Sequence, residues 1–95
     1  MTLSDLYEQM QGVPTPRTRV ALDAATALLS DGKWHTQIEL VTIMVSGSDL
    51  QSSTAKGVLA TLTRSNLLER DAVRKVKKQY GKFRTVYTNV RYRLI

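Results

Sequence analysis

The apolar period of the chain changes once, near residue 69, and that change constrains the architecture more than any other feature. Up to Leu68 apolar residues recur at three- and four-residue intervals, as on helices. Beyond it they alternate with polar residues, as on half-buried strands. Its 95 residues suffice for one domain and not for two. The expected class is therefore mainly α with a small β-hairpin (α+β), with three core helices, a two- or three-stranded C-terminal sheet and a short N-terminal helix. Residues 1–15 read as an N-terminal helical arm and 16–95 as the domain proper.

Leu3, Leu6, Tyr7 and Met10 predict a helix over 3–10, broken by Gly12, Pro14 and Pro16 and packed on this domain or on a second copy. Thr15 and Pro16 suit an N-cap and first helical residue, with Val20, Ala24, Ala27 and Leu28 as the buried stripe and Ser30-Asp31-Gly32 as the stop. Lys33-Trp34-His35 is extended, with Trp34 in or near the core. Thr36 and Glu39 form a capping box for a helix over 37–45. That helix is apolar on more than one side, which fits a central core helix and leaves surface for a dimer contact. A turn at 46–49 leads to a third helix, capped by Ser52 or Ser53 and reaching about Ser65. Ala55, Val58, Leu59 and Leu62 face inward; Thr54, Lys56, Gly57, Ala60, Thr61 and Arg64 face outward. Asn66 suits a left-handed helix end. Val86, Thr88, Val90, Tyr92 and Leu94 mark the inner face of the last strand, and Val73 and Val76 mark its partner within 69–79. Between them, 77–84 reads as a turn with a basic tip. Tyr80 and Phe83 there either fold back on the hairpin or stand free to stack.

The net charge of +6 is unevenly spread. Residues 1–50 carry three basic against six acidic residues, net −3; residues 51–95 carry eleven against two, net +9. A polarised basic half suits a polyanion, although a solvated charged face alone also keeps a protein soluble. Without cysteine there is no disulfide or thiolate site, and His35, the only histidine, cannot anchor a zinc set. Gly81-Lys82 lacks the upstream glycine and the downstream Ser/Thr of a phosphate-binding loop. No catalysis, cofactor or metal is expected. No basic-then-apolar leader pattern is read at residue 1 and no apolar run approaches the ~20 residues of a membrane span, so the expectation is a cytoplasmic protein.

Four stretches carry a family resemblance. Leu28-Leu-Ser-Asp-Gly-Lys-Trp-His-Thr36 looks like the passage from a first to a second helix, and Thr36–Glu39 opens that second helix. Leu59-Ala-Thr-Leu62, followed by Leu67-Leu-Glu-Arg70, looks like the exit of a recognition helix into a wing; Arg91-Tyr-Arg-Leu94 looks like a closing strand. Over about residues 16–95 the chain resembles the winged helix-turn-helix domains. It departs from them in Asn66, where many members have glycine, and in a longer hairpin than the shortest members have.

The resemblance implies a sequence-specific double-stranded DNA-binding protein, most simply a small transcriptional regulator on the nucleoid, of the phage, plasmid or archaeal accessory kind. Helix 52–65 would enter the major groove with Ser52, Ser53, Thr54, Lys56, Gly57, Ala60, Thr61 and Arg64. Arg74, Lys75, Lys77, Lys78, Tyr80, Lys82, Phe83 and Arg84 would form a wing on the backbone or minor groove. A homodimer is expected, with no membrane or small-molecule partner. The alternatives are an architectural or recombination (excisionase-like) factor and a winged-helix protein–protein interaction module.

Overall fold

A computed structural model describes residues 2–95 as an α+β fold of four helices and a three-stranded antiparallel sheet. The order is α1 (Leu3–Gln11), α2 (Pro16–Leu29), β1 (His35–Thr36), α3 (Gln37–Ser48), α4 (Ser52–Arg64), β2 (Leu68–Gln79) and β3 (Lys82–Leu94).

Local chemistry sets most helix ends. Thr15 Oγ1 accepts the Thr18 N–H at 3.3 Å to start α2 at Pro16. Thr36 Oγ1 accepts the Glu39 N–H at 3.2 Å to start α3. The expected capping box at Thr36 is only half formed, because the Glu39 carboxylate turns instead to His35 Nδ1 at 3.1 Å. A complete box forms at Thr2 and Asp5, where the Asp5 carboxylate accepts the Thr2 N–H at 3.1 Å and is thereby held below its ordinary pKa. Helix α3 runs through 46–48, expected as turn, and stops one residue later where Asp49 turns left-handed (φ 58°). At α4 neither Ser52 nor Ser53 caps; Gln51 holds the cap position and makes no side-chain hydrogen bond there.

The core is built from Leu3 of α1, Ala21, Leu22, Ala25 and Leu29 of α2, Leu40 and Met44 of α3, Ala55, Val58, Leu59 and Leu62 of α4, and Leu68 and Tyr92 of the sheet. Burying each large member stabilises the fold by about 1.5–3 kcal/mol. The expected α2 stripe is displaced: Val20 and Ala27 are exposed, and Ala24 and Leu28 are half-buried. Helix α2 packs against both α1 and α3, and its fully buried apolar residues are Ala21, Leu22, Ala25 and Leu29. Helix α3 keeps more apolar surface than its neighbours cover, and Ile38 is 79% exposed.

The sheet order is β1-β3-β2. The basic stretch expected as a turn over 77–84 is strand except at Tyr80-Gly81, whose φ values of 53° and 75° form a two-residue turn of the kind that matches strand twist. Gln79 pairs with Lys82, Lys78 with Phe83 and Lys77 with Arg84, so strand pairing continues to the tip. The molecule is elongated, 46 × 25 × 23 Å.

One irregularity interrupts the last strand. Asp71 pairs with Arg91 but Val73 with Thr88, so Asn89 and Val90 together oppose Ala72, and Asn89 is left-handed (φ 55°). Cross-strand partners share a face. With Arg70 opposite Tyr92 and Arg74 opposite Tyr87, it is Tyr87 that shares the face of buried Tyr92. The Arg70 guanidinium over the Tyr87 ring, 5.5 Å from its centroid, agrees. The single alternating face expected over 86–94 is therefore broken at the bulge, although Val86, Thr88 and Val90 remain half-buried.

Candidate nucleic-acid interface

The outward side of α4 is open to solvent along most of its length. Ser52, Ser53, Thr54, Lys56, Gly57, Ala60 and Arg64 are exposed and Thr61 is half-buried, while Ala55, Val58, Leu59 and Leu62 anchor the opposite side. Thr61 Oγ1 donates to the Gly57 carbonyl at 3.0 Å and accepts weakly from Arg64 Nη2 at 3.4 Å. Gly57 is informative. A glycine inside a helix costs about 1 kcal/mol relative to alanine, yet a β-carbon built at Gly57 would meet nothing within 4 Å. Packing within this chain therefore does not require the small residue.

Two adjoining hollows connect α4 to the hairpin. One is lined by Gln37, Ile38, Val41, Thr42, Ser52 and Lys56; the other by Thr36, Gln37, Ile38, Tyr87, Thr88, Asn89 and Val90. Gln37 and Ile38 border both, so the first turn of α3 lies between the start of α4 and the base of the hairpin on one surface. Sequence reasoning missed Gln37, Ile38, Tyr87 and Asn89. The apolar surplus of helix 37–45 points to Ile38 alone, and it fits a central core helix with surface left for a dimer contact; no local signal singles out Gln37, Tyr87 or Asn89.

Beyond Asp71 the chain has no acidic residue. The register sorts its outer cations onto two faces. Lys75, Lys77, Lys82 and Arg84 lie on one, with Gln79 and Val86; Arg74 and Lys78 lie on the other, with Val76, Phe83 and Tyr87. All six cations are exposed, as are Tyr80 (94%) and Phe83 (77%). The two aromatics do not fold back on the hairpin.

The two acids of this half are already engaged. Asp71 binds Arg91 at 2.8 Å and Glu69 binds Arg93 at 2.7 Å. The same guanidiniums lie over the Trp34 ring, 4.8 and 4.6 Å from its centroid, so Trp34 is half-buried under charge rather than in the apolar core. Lys56, Arg64, Arg70, Arg74, Lys75, Lys77, Lys78, Lys82 and Arg84 have no carboxylate within ion-pair distance among the described residues. These nine cations define a field of one sign over α4 and the hairpin.

His35 stands apart from that field. Nε2 meets Asp31 at 3.0 Å and Nδ1 meets Glu39 at 3.1 Å, with the imidazole 14% exposed. Hydrogen bonds to Asp31 and then Glu39 raise its pKa above the ordinary 6.5. The Asp31 carboxylate, bound by the Lys33 N–H and by His35, is held below its ordinary 3.8. Among the described residues no helix is long and apolar enough to cross a membrane. Comparison of the chain with family models, with curated proteins and with solved structures gave no match.

Proposed function

We propose that this protein binds double-stranded DNA as a winged helix domain and acts as a small sequence-specific regulator. Helix α4 enters the major groove, and the β2–β3 hairpin follows the adjoining backbone into the minor groove. The observation that carries this reading is the set of nine cations without a carboxylate partner on α4 and on the two faces of the hairpin, where the only acids, Glu69 and Asp71, are paired with Arg93 and Arg91. A polyanion of regular charge spacing is the partner that such a surface suits.

The shape of α4 favours duplex over other polyanions. A helix about 10–12 Å across matches a major groove about 12 Å wide. Gly57, Ala60 and Thr61 keep the exposed side low enough for close approach, and no internal contact requires Gly57 to be small. Lys56 and Arg64 flank this low strip and reach for base edges or phosphates. The first turns of α4 and α3 present backbone N–H groups and positive dipole ends beside Ser52 and Gln37, a suitable place for phosphate oxygens.

The test is selection of bound fragments from a random duplex pool, followed by titration of the selected site. A defined motif is expected, and its symmetry reports whether one copy or two bind. Arg64→Ala should weaken the selected site by ~1–3 kcal/mol and relax one base position. Absence of retention on any duplex at low salt would overturn the reading and leave a protein-docking module in its place.

A further inference from the structure

We infer that the hairpin tip is a DNA-kinking wedge, in which Tyr80, with Phe83 beside it, enters a base step and unstacks it while the surrounding cations hold the flanking phosphates. The inference rests on the duplex-binding reading and adds an activity to it: deformation of the bound DNA.

Backbone strain is the first observation. Tyr80 occupies the first position of the two-residue turn with φ 53°, a left-handed conformation unfavourable for a bulky side chain and easy for asparagine or glycine. A strained aromatic at an exposed turn invites a functional explanation, because the fold alone would be better served by another residue. No packing offsets the strain, since Tyr80 is 94% exposed.

The second observation is independent of the backbone. Phe83, 77% exposed, follows three residues later and borders the same shallow hollow as Tyr80, together with Gln79, Lys82 and Arg84. Lys78 lies directly across from Phe83, and Lys77 across from Arg84. Two uncovered rings thus sit among four cations at the narrowest end that a hairpin can have. Duplex DNA has that combination of surfaces: apolar base faces between two rows of phosphate. Its minor groove, about 6 Å wide, must open to admit the tip, and wedge insertion drives that opening together with a bend toward the major groove.

The test uses the full chain with Tyr80→Asn and Phe83→Ala variants. The probe is ligase-mediated ring closure of random-sequence linear duplexes of about 100 bp, shorter than the ~150 bp persistence length. Duplex retention at low salt and thermal melting are measured in parallel. The wild type should accelerate ring closure by roughly tenfold, because a protein-held kink removes part of the elastic cost of closure. Both variants should lose that acceleration when compared with wild type at protein concentrations that give each the same fraction of bound duplex, so that any loss of affinity from either ring is matched out of the comparison. Tyr80→Asn should also melt higher than wild type, a rise that a purely structural role for Tyr80 would not give. Retained acceleration in both variants, or a wild type that binds duplex without accelerating closure, would overturn the wedge and leave the duplex-binding reading standing. A wild type that binds no duplex at all would overturn that reading and the wedge with it.

Discussion

At the scale of single residues, the informative positions are those where the fold alone would prefer something else. Gly57 interrupts α4 with open space around it. Gly57→Ala should stabilise the protein by about 1 kcal/mol in chemical denaturation, from helix propensity, and should weaken duplex binding by holding the helix away from the base edges. A variant that gains stability without losing affinity would remove Gly57 from the interface. His35 gives a pH prediction. Its pKa is raised in the folded state by Asp31 and Glu39, so protonated His35 favours folding. That contribution is fully present below the ordinary value of about 6.5 and is lost as pH rises through the raised value. The denaturation midpoint of the wild type, compared with His35→Gln, should fall more steeply as pH increases across that window. Parallel profiles would show that the two carboxylates do not stabilise the imidazolium.

At the scale of elements, end chemistry was legible where it is local and illegible where a neighbour competes. Thr15 and Thr36 cap as their sequence positions suggest. Glu39 reads as the return arm of a capping box, yet its carboxylate binds His35, whose ring β1 brings within reach. Helix α4 lacks a side-chain cap, so Gln51→Ser should supply one and stabilise the fold by about 1 kcal/mol, read as a higher denaturation midpoint. An unchanged midpoint would mean that water already satisfies those N–H groups equally well. The hairpin teaches a different lesson. Its basic residues were visible, but the two-residue turn at Tyr80-Gly81 fixes which of them share a face, and the bulge at Asn89 shifts the last strand by one. Tyr-Gly is not a strong turn signal, because tyrosine resists the left-handed conformation that it adopts here.

At the scale of the whole molecule, charge asymmetry is the governing property. The acids of the C-terminal half are consumed by Arg91 and Arg93, so the remaining cations act together on whatever approaches α4 and the hairpin. Duplex affinity should therefore fall steeply with salt. Replacing Lys77, Lys78 and Lys82 together with alanine should weaken binding to all sequences alike and reduce the log–log slope by about 2–3, at roughly 0.9 per phosphate neutralised. A slope unchanged in that variant would place the nucleic acid away from the hairpin.

The sequence by itself determined the class and order of elements, the inward stripe of α4, the left-handed end at Asn66 and the basic half of the chain, because period, capping and formal charge depend on residues near one another. Only the tertiary structure decided which side of α2 is buried, since that depends on the positions of α1 and α3. It also placed Gln37 and Ile38 between α4 and the hairpin, laid Arg91 and Arg93 over Trp34, and left Tyr80 and Phe83 uncovered. These arrangements bring together residues far apart in the chain, and no local preference encodes such meetings.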